Sequence, residues 1–463
     1  MSINTKGLLG PQIPHVQRLV DSLYTNGFAI DLSETGTGKS YAAAAVAREM
    51  NMPVVVICPK TIIPQWENVL KAFKLKAHLL INYEKLIRGN TKFLKWKKLP
   101  DPERPFTPNA MALIPDFRLP ANVLVILDEG HKCKGVNTSN SQMLVALKSQ
   151  GYRVLLASAT AATNPLEMKA FGYLTKLHSL YNFTDFCRLH GGQWLGRFGA
   201  MTWDNDSNQA KKAMLELNEY LFDTRKCASR MKADDFGNLF PESHIVADVF
   251  DLGSNEKKIQ HVYDEMEAEI ARLDERNYSE HIFAIIMKAR RMAELCKVPL
   301  FVDMIEDLYD EGKSVVLFVN FDDTVTGVYN RLLKSKKFSD ANIGFIIGGQ
   351  TASARQNDVD AFNADRKRVL ICNIAAGGIG ISLHDLNGKF PRASLISPNF
   401  SAIQLVQALG RIWRQGGLTK SYQRIVYAAK TIEEQACRRV QFKINSLNTL
   451  NDGDLAEGFD LFT

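Results

Sequence analysis

Five side chains of this sequence could together handle a phosphoanhydride: Lys39, Asp128, Glu129, Arg411 and Arg414. Lys39 lies in Ser33-Glu34-Thr35-Gly36-Thr37-Gly38-Lys39-Ser40, after the apolar run Phe28–Leu32 and before an alanine-rich segment, Tyr41 to Met50. That order implies strand, glycine-rich turn, helix. The N–H groups of such a turn, with a helix N-terminus behind them, hold nucleotide phosphates. Thr35, Gly36, Thr37 and Gly38 would cradle the phosphates, Lys39 would reach the β- and γ-phosphates, and the Ser40 hydroxyl would bind magnesium. Ser33 stands where the pattern usually has its first glycine.

A second cluster follows the apolar run Val123–Leu127, which ends in Asp128-Glu129-Gly130-His131. A carboxylate at the end of a buried strand beside the P-loop strand is where a magnesium ligand is needed. Asp128 fits that role, directly or through water. Glu129 fits the next one, a carboxylate that orients and deprotonates the attacking water. A surface acidic turn is the plain alternative, and the apolar strand argues against it. A third run, Arg153–Ala157, ends in Ser158-Ala159-Thr160. Ser158 and Thr160 could hydrogen-bond the acidic turn and transmit its state, with His131 as a coupling residue or a structural one. Arg411 and Arg414, in Gln407-Ala408-Leu409-Gly410-Arg411-Ile412-Trp413-Arg414, are three apart and would share a helix face. Brought to a γ-phosphate across a domain interface they would act as arginine fingers, typically worth ~10³–10⁵ in turnover.

These groups need a scaffold, and 463 residues exceed one ordinary core. Apolar runs at 28–32, 54–58, 78–81, 123–127 and 153–157 predict one set of buried parallel strands. Runs at 314–320, 343–347, 368–373, 393–397 and 423–428 predict a second. The fold class expected is α/β, with two doubly wound parallel-sheet domains and helical insertions between them. The boundaries are placed at 1–240 and 241–463, with a helical insertion at about 254–300. The stretch from 204 to 310 is charged, helix-patterned and poor in strand runs, and Tyr263 to Arg276 predicts an exposed amphipathic helix. Leu99 to Pro120 holds six prolines and predicts an irregular excursion. Asn448 to Thr463 predicts a loose tail.

Composition narrows the class. The sequence is 46% hydrophobic and 23% charged, as ordinary globular proteins are, and its apolar runs are too short to span a membrane. Seven scattered cysteines without a Cys-x-x-Cys pair argue for reduced thiols in the cytoplasm and against a zinc site. The N-terminal residues lack the basic-then-apolar pattern of a signal peptide, so the protein is expected to stay where it is made. A net charge of +7 permits a polyanionic partner without requiring one.

Taken in order, the motifs resemble a superfamily 2 helicase motor with two RecA-like domains that close on ATP. Gln17, in Pro14-His15-Val16-Gln17-Arg18, resembles the glutamine that reads adenine. Cys58-Pro59-Lys60-Thr61 and Asn82-Tyr83-Glu84 resemble nucleic-acid-contacting motifs, and Leu317 to Phe321 resembles motif IV. Ala376-Gly377-Gly378-Ile379-Gly380-Ile381-Ser382 is similar to motif V, and Gln407 to Gly416 to motif VI. The likeness is nearest to Swi/Snf-type DNA translocases, through Asp128 to Lys134, Asn164-Pro165-Leu166-Glu167, Arg230-Met231-Lys232, Gly348-Gly349-Gln350-Thr351 and Thr431-Ile432-Glu433-Glu434.

The resemblance implies ATP and Mg2+ as cofactors, with Gly378, Gly380 and Gln407 completing the nucleotide site. It implies an ATP hydrolase stimulated by DNA, duplex or branched, and indifferent to sequence, with RNA as the other candidate track. The rival readings are a strand-separating or branch-migrating helicase and a non-hydrolysing ATP-binding scaffold. A motor that steps over every base must grip phosphates. Lys60, Thr61 and Asn82 in the first domain, and Asn320, Gly349 and Ser382 in the second, are the contact candidates. The run Lys92-Phe93-Leu94-Lys95-Trp96-Lys97-Lys98 predicts an amphipathic helix with a solvated lysine face, the alternative being a surface that tracks a duplex or stacks a base. Trp66 is expected in the core.

Overall fold

The computed structural model describes the chain apart from residues 1–2, 89–90, 195–200, 205–206, 251–253, 272–277, 378–379, 400, 429–431 and 453–463. It divides into two compact units. The first is Met1–Gly237 joined by the chain from Phe442, and the second runs from Asn238 to Gln441. No helix among the described residues is long and apolar enough to cross a membrane.

The first unit opens with α1 (Gln12–Asn26), which Gly27 ends in a left-handed turn at φ 77°, its N–H returning to Leu23 O. Then come β1 (Phe28–Asp31), α2 (Lys39–Glu49), β2 (Val54–Cys58), α3 (Ile63–Ala72), β3 (Ala77–Asn82) and α4 (Tyr83–Ile87). A hairpin of β4 (Leu94–Pro100) and β5 (Met111–Phe117) precedes β6 (Leu124–Asp128), α5 (Ser139–Ser149) and β7 (Arg153–Ala157). Helices α6 (Lys169–Thr175) and α7 (Phe183–Leu189), the short pair β8 (Gln193–Trp194) and β9 (Met201–Thr202), α8 (Asn208–Glu219) and β10 (Ala228–Ser229) complete it. The sheet order is β10-β1-β7-β6-β2-β3, parallel throughout. Every residue of β1, β2 and β6 is buried, as strands covered on both faces must be.

The second unit holds β11 (Ser243–Phe250), α9 (Ser254–Ala271), α10 (Tyr278–Cys296), α11 (Val298–Asp310), β12 (Ser314–Val319) and α12 (Asp322–Lys334). Beyond these lie β13 (Ile343–Ile346), α13 (Ala352–Asn363), β14 (Val369–Asn373), α14 (Ile374–Gly377), β15 (Arg392–Ile396), α15 (Ala402–Leu409) and β16 (Ser421–Ala428). Their order is β11-β16-β15-β12-β14-β13, again all parallel. The last helix, α16 (Ile432–Asp452), starts in the second unit and ends in the first.

Four expectations change. The proline-rich stretch is half ordered: β4 and β5 pair antiparallel from Leu94↔Phe117 to Pro100↔Met111. The lysine run therefore lies on a strand, because Trp96 and Leu94 alternate with the lysines at period two once a partner strand is available. The hairpin lies over α5 and encloses a mostly apolar cavity of about 340 Å³ with it. Ser243–Phe250, inside the helix-patterned middle, is an edge strand whose His244 and Asp248 break the apolar run. The expected loose tail is helical as far as Asp452: Leu450 is fully buried in the first unit's core, and Asn451 donates to Ala159 O at 3.1 Å. Residues 453–463 lie outside the described chain.

Candidate active site

In the first unit the glycine-rich turn leaves β1 and enters α2 at Lys39, as the apolar-glycine-alanine order requires. Gly36 and Gly38 both adopt φ 87°. Glycine is needed at 38 for this conformation, and a Cβ there would meet Gln12 Nε2 at 2.5 Å and displace that amide. Lys39 Nζ donates to Ser33 O at 2.9 Å and Glu34 O at 2.8 Å, which holds the cation at the mouth of the turn. Thr37 is buried, and its hydroxyl donates to Glu34 O.

The stem of this loop is gripped by side chains that sequence reasoning did not single out. Beneath it His15 and Asp31 are both fully buried, with Nε2 and Oδ2 3.2 Å apart. His15 Nδ1 is 2.8 Å from the Ser229 hydroxyl, which also accepts from Arg18 Nε. Burial alone would raise the Asp31 pKa, but His15, Lys39 and the Ser33 side hold it below the ordinary carboxylate value. Arg230 donates to Leu32 O (2.8 Å) and Glu34 Oε1 (3.2 Å), and pairs with Asp452 at 2.7 Å. The tripeptide at 230–232 was legible as a motif; its clasp on Glu34 was not.

Gln17 is not at the loop. Its amide donates to Asp21 Oδ1 on the exposed side of α1. The glutamine that reaches the loop is Gln12, whose Nε2 donates to Thr37 O at 3.0 Å while its Oε1 accepts from Leu9 N at 2.9 Å. A count from the turn back to the first buried polar position of α1 could have found it.

The acidic turn sits two strands from β1, not beside it, because β7 intervenes. Ala157 of β7 pairs with Asp31 on one side and Asp128 on the other, so the two carboxylates share one row, about 10 Å apart at ordinary strand spacing. The Ser40 hydroxyl still comes within 3.5 Å of Asp128 Oδ2. Two hard oxygen donors so placed suit a magnesium ion, which binds one or two protein oxygens and keeps several waters. Trp66 is in the core as expected, fully buried, and its Nε1 also donates to Asp128 Oδ2 at 2.8 Å. The Tyr83 hydroxyl donates to Asp128 O at 2.8 Å, and burial pushes its pKa well above the ordinary phenol value. Burial and the adjacent Glu129 push the Asp128 carboxyl up to about 6, while the Trp66 N–H and Lys39 pull it down.

Glu129 occupies left-handed space at φ 54°, unusual for a non-glycine residue. Its N–H donates to Asp128 Oδ1 at 2.9 Å, and its Oε2 lies 3.3 Å from His131 Nδ1. Next to it, a Cβ on Gly130 would strike the Leu156 side chain at 2.6 Å, so only glycine lets the turn close over β7. His131 Nδ1 is also 3.4 Å from the Ser158 hydroxyl, which accepts from Thr160 N at 3.2 Å. The predicted coupling trio is thus brought together with Glu129.

In the second unit the arginine segment lies beyond the helix. Helix α15 ends at Leu409, and Arg411 and Arg414 sit on the turns that follow, so they do not share a helix face. Gly410 begins the exit. Arg411 is buried, donates from Nη1 to Ile381 O, and its own carbonyl accepts from Leu383 N at 2.9 Å. This joins the motif V segment, with Gly380 at φ 75° and Ser382, to the arginine turn. Arg414 Nε donates to Gly410 O, and Gln407 is buried on α15. Gly378 lies outside the described residues.

The nucleic-acid candidates divide. Lys60 and Thr61 are exposed in a short helical turn after β2, next to Asn82 at the end of β3, with Cys58 and Asn82 in register. Gly349 is exposed at φ 75°. The Ser382 carbonyl accepts from Asn363. Asn320 is engaged internally: its amide donates to Glu294 Oε2 (2.6 Å) and Pro398 O (2.9 Å), and its Oδ1 accepts from Asn399. Its polar atoms brace a loop.

The family "Helicase conserved C-terminal domain" matches residues 296–416. A protein of Acanthamoeba polyphaga mimivirus that carries the name ATP-dependent RNA helicase is 32% identical over 98% of this chain and 86% of its own length. The DNA repair and recombination protein RAD54-like of Drosophila grimshawi is 22% identical over 86% of this chain, and the chain spans 56% of that relative. Among solved structures, the Sulfolobus solfataricus SWI2/SNF2 ATPase core in complex with dsDNA is similar at 15% identity and a TM-score of 0.37, over 97% of this chain and 95% of that one. With likeness to a helicase running nearly end to end, over a phosphate-binding turn and an acidic turn held in one sheet, the chain belongs to the ATP-dependent helicases.

Proposed function

We propose that this enzyme uses ATP hydrolysis to translocate on duplex DNA without reading its sequence. The observation that carries the reading is the position of Glu129. One carboxylate is tied through its backbone to Asp128 and through its side chain to His131, whose Nδ1 in turn lies 3.4 Å from the Ser158 hydroxyl. Such a group can feel both the nucleotide and the strand end beyond it. In this reading Lys39 and the loop N–H groups bind the β- and γ-phosphates, and Glu129 orients the attacking water and takes its proton. Arg411 and Arg414 supply positive charge to the transferred phosphoryl group. A magnesium ion held by Ser40 and Asp128 would neutralise the phosphate oxygens when bound.

Lys60, Thr61 and Asn82 grip one stretch of phosphate backbone, and Gly349 and Ser382 another. The relatives named for DNA repair and recombination favour DNA as the track. An RNA duplex is the second candidate, since the relative at 32% identity bears the name RNA helicase. The test is ATP turnover by the whole chain with duplex DNA, duplex RNA or neither, together with displacement of a third strand from a triplex. Stimulation by duplex DNA with triplex displacement and no strand separation is the expected result. Turnover indifferent to every nucleic acid would overturn the reading.

A further inference from the structure

The hairpin of β4 and β5 is used by none of the chemistry above, yet it concentrates the charge of the molecule. From Lys85 to Arg118 there are eight cations and three carboxylates, a net of five positive charges in a chain whose total is seven. The three acids are each matched: Asp116 with Lys97 at 2.6 Å, Glu103 with Lys169 at 2.6 Å, and Asp101 with Arg104 at 3.9 Å. Lys85, Arg88, Lys92, Lys95, Lys98 and Arg118 are all exposed, and none has a carboxylate partner among the described residues.

These cations stand on a held frame. Leu94 and Phe117, a cross-strand pair at the base, are buried in the core of the first unit. The Gln150 side chain bonds both Phe117 N and Pro115 O at 2.9 Å, and Phe93 packs edge-on against His78 of β3. Trp96 Nε1 donates to Ile87 O at 2.9 Å, which turns the indole onto α4 and withholds it from base stacking. What the strands present to a ligand is charge; the exposed ring of Phe106 lies in the connecting loop, edge-on to Tyr181. Lys95 and Lys97 point to one face and Lys98 to the other.

Lysines on a free strand edge often serve to prevent edge-to-edge pairing. That explanation covers Lys95 and Lys98. It does not cover Lys85 and Arg88, which belong to α4 and its end, or Arg118 beyond β5. Helix α4 follows directly from Asn82, a residue already placed as a phosphate contact, and its own acid, Glu84, is matched by Lys132 at 3.2 Å.

We propose that this hairpin, with α4, is an auxiliary site for the phosphodiester backbone of duplex DNA, binding by charge alone. The site rests on the reading of the chain as a DNA motor. It extends the grip of the first unit beyond Lys60, Thr61 and Asn82. Each lysine that neutralises a phosphate releases counterions, so binding weakens with salt by about 0.9 per contact in the log–log slope.

The test uses the whole chain with three lysines made neutral, Lys92→Gln, Lys95→Gln and Lys98→Gln, against a mixed-sequence DNA duplex. Affinity is measured at several salt concentrations. The expected result is a slope shallower by about 2–3 and a loss of ~10-fold or more in affinity near 0.1 M salt. ATP turnover without DNA should not change, and turnover at saturating DNA should recover. The matching Lys→Arg variant should keep the slope. An unchanged slope and affinity in the Gln variant would overturn the site, leaving edge protection or an acidic protein partner to account for the patch. The two readings fail separately. A wild-type chain whose ATP turnover ignores DNA defeats the motor, whereas the binding slope reports on the hairpin alone.

Discussion

The acidic turn of the first unit and the arginine turn of the second are held by different means. Around Asp128 the grip comes from side chains: the Trp66 indole on its carboxylate, the Tyr83 hydroxyl on its carbonyl, and His131 and Ser158 beside Glu129. Around Arg411 and Arg414 much of the grip comes from main chain: Leu383 N to Arg411 O, Gly417 N to Arg414 O, and the arginines' own guanidinium groups on the carbonyls of Ile381 and Gly410. A carboxylate that must place one water within hydrogen-bond reach needs fixed walls. A guanidinium on a long stem needs only a firm platform. Single substitutions should therefore disturb the acidic turn from several positions, and the arginine turn almost only at the arginines themselves.

The sharpest way to break that contrast is Arg414→Ala. Turnover should fall by ~10³-fold or more while ATP affinity stays within a few-fold, since the charge is needed chiefly in the transition state. Equal losses in binding and turnover would remove the finger role. Glu129→Gln comes next, with turnover down ~10²–10⁴-fold and ATP binding preserved. Its amide keeps the shape of the side chain, so the circular dichroism spectrum and thermal midpoint should match the parent. Substantial residual turnover would reassign the base.

Below these lies a test of the walls. Trp66→Phe removes one hydrogen bond to a buried carboxylate, worth roughly 1.5–3 kcal/mol for a charged acceptor. Urea unfolding of the first unit should move to lower concentration by a corresponding amount, and the magnesium concentration for half-maximal turnover should rise. No change in either would mean that the indole is only packing.

Asp31 adds a pH dependence. Its carboxyl is depressed in the folded chain, so ionised Asp31 stabilises the first unit above the ordinary carboxylate range. That stabilisation is lost as pH falls from about 4 through the folded value. Asp31→Asn should destabilise the unit at neutral pH and flatten the decline below pH about 4. Tryptophan emission can follow it, because four of the five tryptophans (66, 96, 194 and 203) belong to this unit. A variant whose acid unfolding is as steep as the parent's would place the sensitivity elsewhere.

Ten sheet strands were legible because each is a short, largely apolar run, the pattern of a sheet covered on both faces. They include the edge strands β3 and β13; the other two edges, β10 and β11, were missed. In Ser243–Phe250 two polar residues lead and Asp248 interrupts the apolar run, and Ala228–Ser229 is two residues long, so neither stands out from its surroundings in sequence alone. The β4–β5 hairpin was hidden by composition. Prolines spaced through its loop and second strand imply an irregular excursion until the partner strand is known, and Pro115 fits in β5 because its pairing leaves no N–H to satisfy there. The turn bearing Lys39 and the acidic turn were readable because their chemistry is local. Their supports were not, since His15, Trp66 and Arg230 act over separations of 16 to 198 residues.

Gln12 and Gln17 carry this lesson to the smallest expected effect. They lie on one helix, five residues apart, and the motif likeness fell on Gln17. On a helix that spacing turns the second residue well away from the first. Gln17 meets Asp21 at the surface, while Gln12 is buried and spans Leu9 N and Thr37 O, fixing the turn between Thr37 and Gly38 from behind. Gln12→Ala should remove two hydrogen bonds to backbone groups, about 0.5–1.5 kcal/mol each in net terms. The Michaelis constant for ATP should rise several-fold with a smaller change in the maximal rate. Gln17→Ala should leave both within about twofold, as surface changes generally do. The opposite ranking would show that the nucleotide meets α1 through Gln17 after all, and that Gln12 serves packing alone.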